Sequence, residues 1–86
     1  MNINNLIAII KKKLTDSIVI EKIEIEDKSF LHKNHLGYQE GRFHLKIIIK
    51  SNELKNFSRI ESNKKIYKIL DLEMKEYIHS LQILIS

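Results

Sequence analysis

One stretch, residues 42–50, constrains the fold of this chain more than any other. Phe43, Leu45, Ile47 and Ile49 alternate with His44, Lys46, Ile48 and Lys50. A period of two puts one set on each face of a β-strand. The first set is wholly apolar and has to be buried against a second layer. His44 falls on the opposite side, where it either covers an open sheet face or bonds across it.

The remaining segments supply that second layer and two more strands. Residues 3–14 predict a helix, because Ile3, Leu6, Ile7, Ile10 and Leu14 recur at three- and four-residue spacing. Asn2 is a suitable N-cap, Lys11, Lys12 and Lys13 suit the last turn, and Thr15-Asp16-Ser17 breaks the pattern. Residues 18–27 predict a strand, with Ile23 and Ile25 on one side and Glu24 and Glu26 on the other. Residues 28–41 are polar and hold both glycines, Gly37 and Gly41, so they predict a long loop.

After the 42–50 strand, residues 51–57 predict a short helix or turn. Ser58 and Glu61 form an S-x-x-E capping box, which opens a helix to about Tyr77. Its expected buried side is Ile60, Tyr67, Leu70, Met74 and Tyr77. Residues 78–85 predict a last strand, with Leu81, Ile83 and Ile85 inward and Ser80 and Gln82 outward. The order is α-β-β-α-α-β: an α+β two-layer sandwich on a mixed three-stranded sheet. The first two strands should pair as an antiparallel hairpin. A third strand parallel to the second, reached by a right-handed helical crossover, begins at the sheet edge where the long loop ends.

With 86 residues, positions 1–86 are expected to form one domain with a modest core. No cysteine is present, which excludes a disulfide, a zinc ribbon and a thiol nucleophile. The net charge is +4, yet only Arg42 and Arg59 of the 15 basic residues are arginines. That balance favours weak, nonspecific attraction to nucleic acid over sequence reading. The apolar run Leu6 to Ile10 is too short to span a bilayer, so the expectation is a cytoplasmic protein with no membrane partner. No G-x-S-x-G elbow, phosphate-binding glycine loop or H-E-x-x-H motif is present, and an enzyme is the weakest reading.

Four histidines stand out: His32 and His35 in the long loop, His44 early in the second strand and His79 early in the third. The topology above brings all four to one edge. Taken singly, each has a plainer role. His79 in Tyr77-Ile78-His79-Ser80-Leu81 suits a hydrogen-bonded junction residue, and His32 and His35 suit solvated loop positions. Taken together, they could ligate a metal. A closed zinc site usually takes four protein ligands, often cysteines. Here only histidines and nearby Asp27 or Glu40 are at hand, so a site completed by a partner's thiolates fits better. Two histidines on one iron of a [2Fe–2S] cluster is established chemistry.

Three segments carry a resemblance to a known family. Residues 23–32, IEIEDKSFLH, are similar to a strand that ends in D-x-S-x-x-H. Residues 44–51, HLKIIIKS, are similar to H-F-x-V-x-V-x-S. Ile66-Tyr67, leading through Glu73 to Ile78-His79-Ser80-Leu81, is similar to V-Y followed by I-H-A-L. In these segments the chain resembles the BolA-like proteins, over nearly its whole length. The resemblance implies a fold similar to the type II KH domain and partnership with a monothiol glutaredoxin. It also implies a [2Fe–2S] cluster shared among glutaredoxin, glutathione and this chain, with none expected in the isolated chain.

By position, His79 matches the family's C-terminal histidine ligand and His32 the loop ligand, which is histidine or cysteine. His35 has no counterpart and is an additional metal candidate; His44 matches a histidine taken as structural. Ser62-Asn63-Lys64 replaces the family's basic R-H-R segment. The leading expectation is therefore an adaptor in iron-sulfur cluster trafficking or iron-linked regulation. The alternative is a KH-like DNA-binding transcriptional regulator using Lys64, Lys65 and Lys68. A homodimer is a further expectation.

Overall fold

The structure, a computed structural model, describes residues 1–29 and 42–86. Of the predicted loop over 28–41, only Lys28 and Ser29 are therefore described. His32, His35, Gly37, Glu40 and Gly41 lie outside the described residues.

Helix α1 spans Ile3–Ser17. Asn2 caps it as expected, its Oδ1 accepting the Asn5 N–H at 2.8 Å. Leu6, Ile10 and Leu14 form its buried stripe. The helix continues through Thr15-Asp16-Ser17, which the sequence pattern marks as a break. Thr15 Oγ1 donates back to the Lys11 carbonyl at 2.7 Å, and Lys12 pairs with Asp16 at 3.1 Å, so polar side chains bond along the helix instead of ending it. The three lysines thus precede the last turn, which holds no basic residue. Lys13 instead bonds across to another element. Its Nζ donates to Glu73 Oε2 at 2.7 Å, and Glu73 is only 3 % exposed. This pair ties α1 to the helix that precedes the last strand.

Strand β1 is Lys22–Asp27, shorter than the 18–27 expected. Ile18 instead ends α1, its N–H still bonded to the Leu14 carbonyl at 2.9 Å and its side chain in the core. Strand β2 is Phe43–Lys50 and β3 is Ile78–Ile85. The sheet order is β1-β2-β3, with β1 antiparallel and β3 parallel to β2. The register sets Ile23 opposite Ile49 and Ile25 opposite Ile47, then Ile47 opposite Ile83 and Ile49 opposite Ile85. The mixed α+β architecture is the one expected.

The crossover keeps the short turn expected over 51–57 and differs in its long helix. Residues 51–57 hold only a 3-10 turn, Leu54–Asn56. The single helix expected from Ser58 to Tyr77 is two: α2, Arg59–Ile69, and α3, Asp71–Glu76. The capping box forms, with Glu61 N–H donating to Ser58 Oγ and Ser58 N–H donating to Glu61 Oε1. Leu70 breaks the run, at φ −97° and ψ 20°, with its side chain fully buried. The inward stripe is consequently Ser62, Ile66 and Leu70. Ile60, 68 % exposed, and Tyr67, 39 % exposed, turn outward, contrary to the expected buried side, whereas Met74 and Tyr77 do pack on the core. Ser62 was hard to anticipate as an inward residue; its hydroxyl donates to the Leu54 carbonyl at 3.2 Å and so loses no hydrogen bond on burial.

Leu6, Ile10, Leu14 and Ile18 meet Leu45, Ile47 and Ile49 across the two layers, closed by Leu54, Ile66, Leu70 and Ile78. Each side chain of this size contributes about 1.5–3 kcal/mol when buried. The opposite sheet face carries Lys46, Ile48 and Lys50 from β2 and Glu24 and Glu26 from β1. All of them are at least partly exposed.

Candidate metal centre at the start of the third strand

The pairing of β2 with β3 is irregular at one place. Phe43 lies opposite Ile78, but His44 lies opposite Ser80, so β3 carries His79 as an extra residue. The reason is visible in the core. Ile78 is 1 % exposed and Leu81 packs against the same cluster, although the two are three positions apart. A regular strand alternates and cannot turn both inward. The bulge resolves this by leaving two consecutive residues, His79 and Ser80, outside the core.

His44 joins them. Its Nδ1 lies 2.6 Å from Ser80 Oγ and its Nε2 lies 3.2 Å from His79 Nδ1. The two imidazoles meet edge to face at 4.7 Å between ring centres. His44 is 7 % exposed, whereas His79 is exposed. The backbone around His44 is held on both sides. Phe43 N–H donates to the Tyr77 carbonyl at 2.9 Å, His44 N–H to Ser29 Oγ at 3.0 Å, and Lys28 N–H to the His44 carbonyl at 2.7 Å. Asp27 Oδ1 accepts the Ser29 N–H at 2.9 Å, which commits this carboxylate to the turn leaving β1.

The hydrogen-bond chain has a chemical consequence for His79. Only one proton can lie between two ring nitrogens. When His79 Nδ1–H donates to His44 Nε2, and His44 Nδ1–H donates to Ser80 Oγ, the Nε2 of His79 keeps its lone pair. In the reverse order that nitrogen carries the proton and cannot ligate. A metal-ligating histidine characteristically donates its other N–H to a neighbour, which fixes its tautomer and ring orientation. His44 is placed to receive it.

Of the residues singled out in the sequence, only His79 and His44 are brought together among the described ones. Among the described residues no three His, Cys, Asp or Glu side chains converge. Lys64 and Lys68 are exposed on α2, but Lys65 pairs with Glu53 at 3.9 Å and lies 5.2 Å from the Phe57 ring centre. The part played by Ser80 and the bulge was missed in the sequence. The signal for it is the three-residue spacing of Ile78 and Leu81 in an otherwise alternating strand. Charge at this end of the sheet is balanced locally: the Lys28 ammonium hydrogen-bonds to Glu26 at 3.0 Å and holds that carboxyl below its ordinary range. No helix of the described residues is long and apolar enough to cross a membrane.

A three-stranded mixed sheet packs under α1, α2 and α3, and a histidine pair stands where the last strand opens on a bulge. The family model described as BolA-like protein matches residues 14–86, and the chain belongs to that family. A relative from Haemophilus influenzae, described as a DNA-binding transcriptional regulator BolA, is 30% identical over 73 residues. The match covers 85% of this chain and 68% of that one. Among solved structures, the BolA domain of SufE1 from Arabidopsis thaliana superposes with a TM-score of 0.78 at 24% identity, over 100% of this chain and 93% of that one. BolA1 from the same plant gives 0.76 at 22% identity, over 92% and 87%. At these identities the structural likeness speaks for the fold.

Proposed function

We propose that this chain is a non-catalytic adaptor that presents histidine ligands to a [2Fe–2S] cluster shared with a monothiol glutaredoxin and glutathione. The observation that carries the reading is the bulge. It turns His79 out of the core with its Nδ1 3.2 Å from His44 Nε2, and the tautomer in which that Nδ1 donates to His44 leaves Nε2 with its lone pair for a ligand.

His32 is the proposed second ligand. It follows Ser29 by three residues, and Ser29 is bonded to His44. Three residues span at most about 11 Å when extended, so the sequence keeps the loop histidine within reach of this end of the sheet. His35 is a further candidate on the same loop. The donor set suits the cluster: imidazoles alone, with no thiolate in the chain, leave the sulfur ligands to the partner. When bound, the cluster supplies an exchangeable iron-sulfur centre whose potential histidine ligation raises. This chain's part is to hold one imidazole in the ligating tautomer and to bring a second.

The test mixes the chain with cluster-loaded monothiol glutaredoxin and follows visible circular dichroism. The expected spectrum differs from that of glutaredoxin alone and reverts to it with His79→Ala. An unchanged spectrum when His79 and His32 are both replaced ends the reading.

The description of the Haemophilus influenzae relative supports a second reading, a DNA-binding regulator in which Lys64, Lys65 and Lys68 meet phosphates. It predicts affinity that falls steeply with salt and distinguishes a cognate from a scrambled duplex. Binding of both duplexes alike, lost at physiological salt, would count against it.

A further inference from the structure

Among the described residues, the far half of β3 is an uncovered sheet edge. Ser86 N–H donates to the Ile49 carbonyl at 2.8 Å, and the Ser86 carbonyl accepts from Ser51 N–H at 3.1 Å, so Ser86 directs both groups at β2. Backbone groups alternate along a strand, so Leu81, Ile83 and Ile85 direct theirs at the open edge. The Tyr67 hydroxyl confirms this direction by donating to the Leu81 carbonyl at 3.1 Å. Among the described residues nothing takes the outward N–H and carbonyl groups of Ile83 and Ile85. Their side-chain surroundings are mixed. A hollow of about 300 Å³ beside them is lined by Leu54, Phe57, Ile83 and Ile85 together with Lys55, Arg59 and Ser62, and Leu84 stands 42 % exposed.

We infer that this edge pairs with the same edge of a second copy of the chain, antiparallel, about a twofold axis at Leu84. A second copy fits because the free groups are self-complementary. Ile83 of one copy meets Ile85 of the other and exchanges both hydrogen bonds, twice over by symmetry. Leu84 then faces Leu84 of the second copy as the close, non-hydrogen-bonded pair, which covers an exposed leucine. Tyr67 sets the limit of the pairing by occupying the Leu81 carbonyl. No residue of β3 is charged, so the strands themselves meet without repulsion. The product is a six-stranded sheet with a histidine pair at each of two distant positions. The inference is independent of what those histidines bind.

Sedimentation velocity across a concentration series tests it, with circular dichroism to confirm that each variant is folded. The wild type is expected to show a monomer–dimer equilibrium that tightens with added salt, because each copy carries a net charge of +4. Leu84→Lys is expected to weaken it at least tenfold, whereas Ile60→Lys, on an exposed apolar residue of α2, leaves it unchanged. Register is read by cross-linking, since the chain has no cysteine of its own. Leu84→Cys places two Cα atoms ~4.5 Å apart, within disulfide range, and is expected to oxidise to a covalent dimer. Gln82→Cys places them about 14 Å apart and is expected not to. A wild type that stays monomeric to about 1 mM overturns the inference. So does equal cross-linking of the two cysteine variants, or an acidic peptide or duplex taking this edge on a chain that remains monomeric.

Discussion

The two outer strands of this sheet are built to opposite rules. β1 has six residues, of which Lys22, Glu24, Glu26 and Asp27 are charged; Glu24 pairs with Lys22, and Glu26 with Lys28 just beyond the strand. β3 has eight residues and no charge. Edge strands expose unpaired backbone groups, and charged side chains are a common way to stop them pairing with other chains. β1 has that protection. β3 has instead a bulge at its start, where His79 meets His44 of β2, and an apolar stretch with open backbone groups at its end. The proposed cluster ligand and the proposed dimer contact both lie on β3, and β1 is the edge that its charges protect.

The largest effect expected from breaking this asymmetry is at His79. Replacement by alanine should abolish the glutaredoxin-dependent change in visible circular dichroism, whereas Glu24→Ala on the opposite edge should leave it intact. The next is at His44, which touches the proposed ligand without being one. His44→Ala should weaken cluster capture by about 10–100-fold, the usual cost of losing the partner of a ligating histidine. A titration of apo chain into cluster-loaded glutaredoxin would measure it. An effect as complete as that of His79→Ala would make His44 itself the ligand.

A third experiment removes the protection of β1. Glu24→Ile with Glu26→Val should convert that edge into a second unguarded one and produce higher oligomers, seen by light scattering, rather than a discrete dimer. If the variant behaves as the wild type does, charge is not what keeps β1 apart.

The smallest effect concerns Glu26. Its carboxyl is held below the ordinary range, first by the hydrogen bond from Lys28 and then by the charge of that ammonium. A lowered folded-state pKa stabilises the fold above the unfolded carboxyl's pKa, and that contribution fades as pH falls through the folded value. The pair is on the surface, so the contribution is slight. Carbon-detected NMR titration should give a midpoint below that of a free glutamate, and Lys28→Ala should raise it.

Much of this arrangement was legible in the chain itself. The alternation of Phe43 to Lys50 and of Ile23 to Glu26 defined two strands, because period two has no other economical use. Asn2 and the Ser58–Glu61 pair defined two helix starts, because caps act within three residues. The end of α1 and the division of the crossover helix were not legible. Thr15 and Asp16 disfavour a helix interior on average, yet they bond to Lys11 and Lys12 one turn back. Leu70 faces inward as expected, but its residue type gives no sign that the helical run breaks there. Ile60 and Tyr67 were assigned inward because apolar spacing cannot distinguish two faces that both carry large side chains. For the candidate site, His79 was identified from the residues around it, but its link through His44 to Ser80 needed the strands side by side.

By itself the sequence determined the α+β class, the three strands, the absence of any thiol chemistry and the family. These depend on local periodicity, composition and short motifs, all of which are carried along the chain. Tertiary structure alone decided that Ile78 and Leu81 share one core, that β3 must therefore bulge at His79, and that Ile83 and Ile85 direct their backbone groups at an open edge. Register between strands distant in sequence is set by which side chains fit together in the core, and that information belongs to pairs of segments rather than to either one.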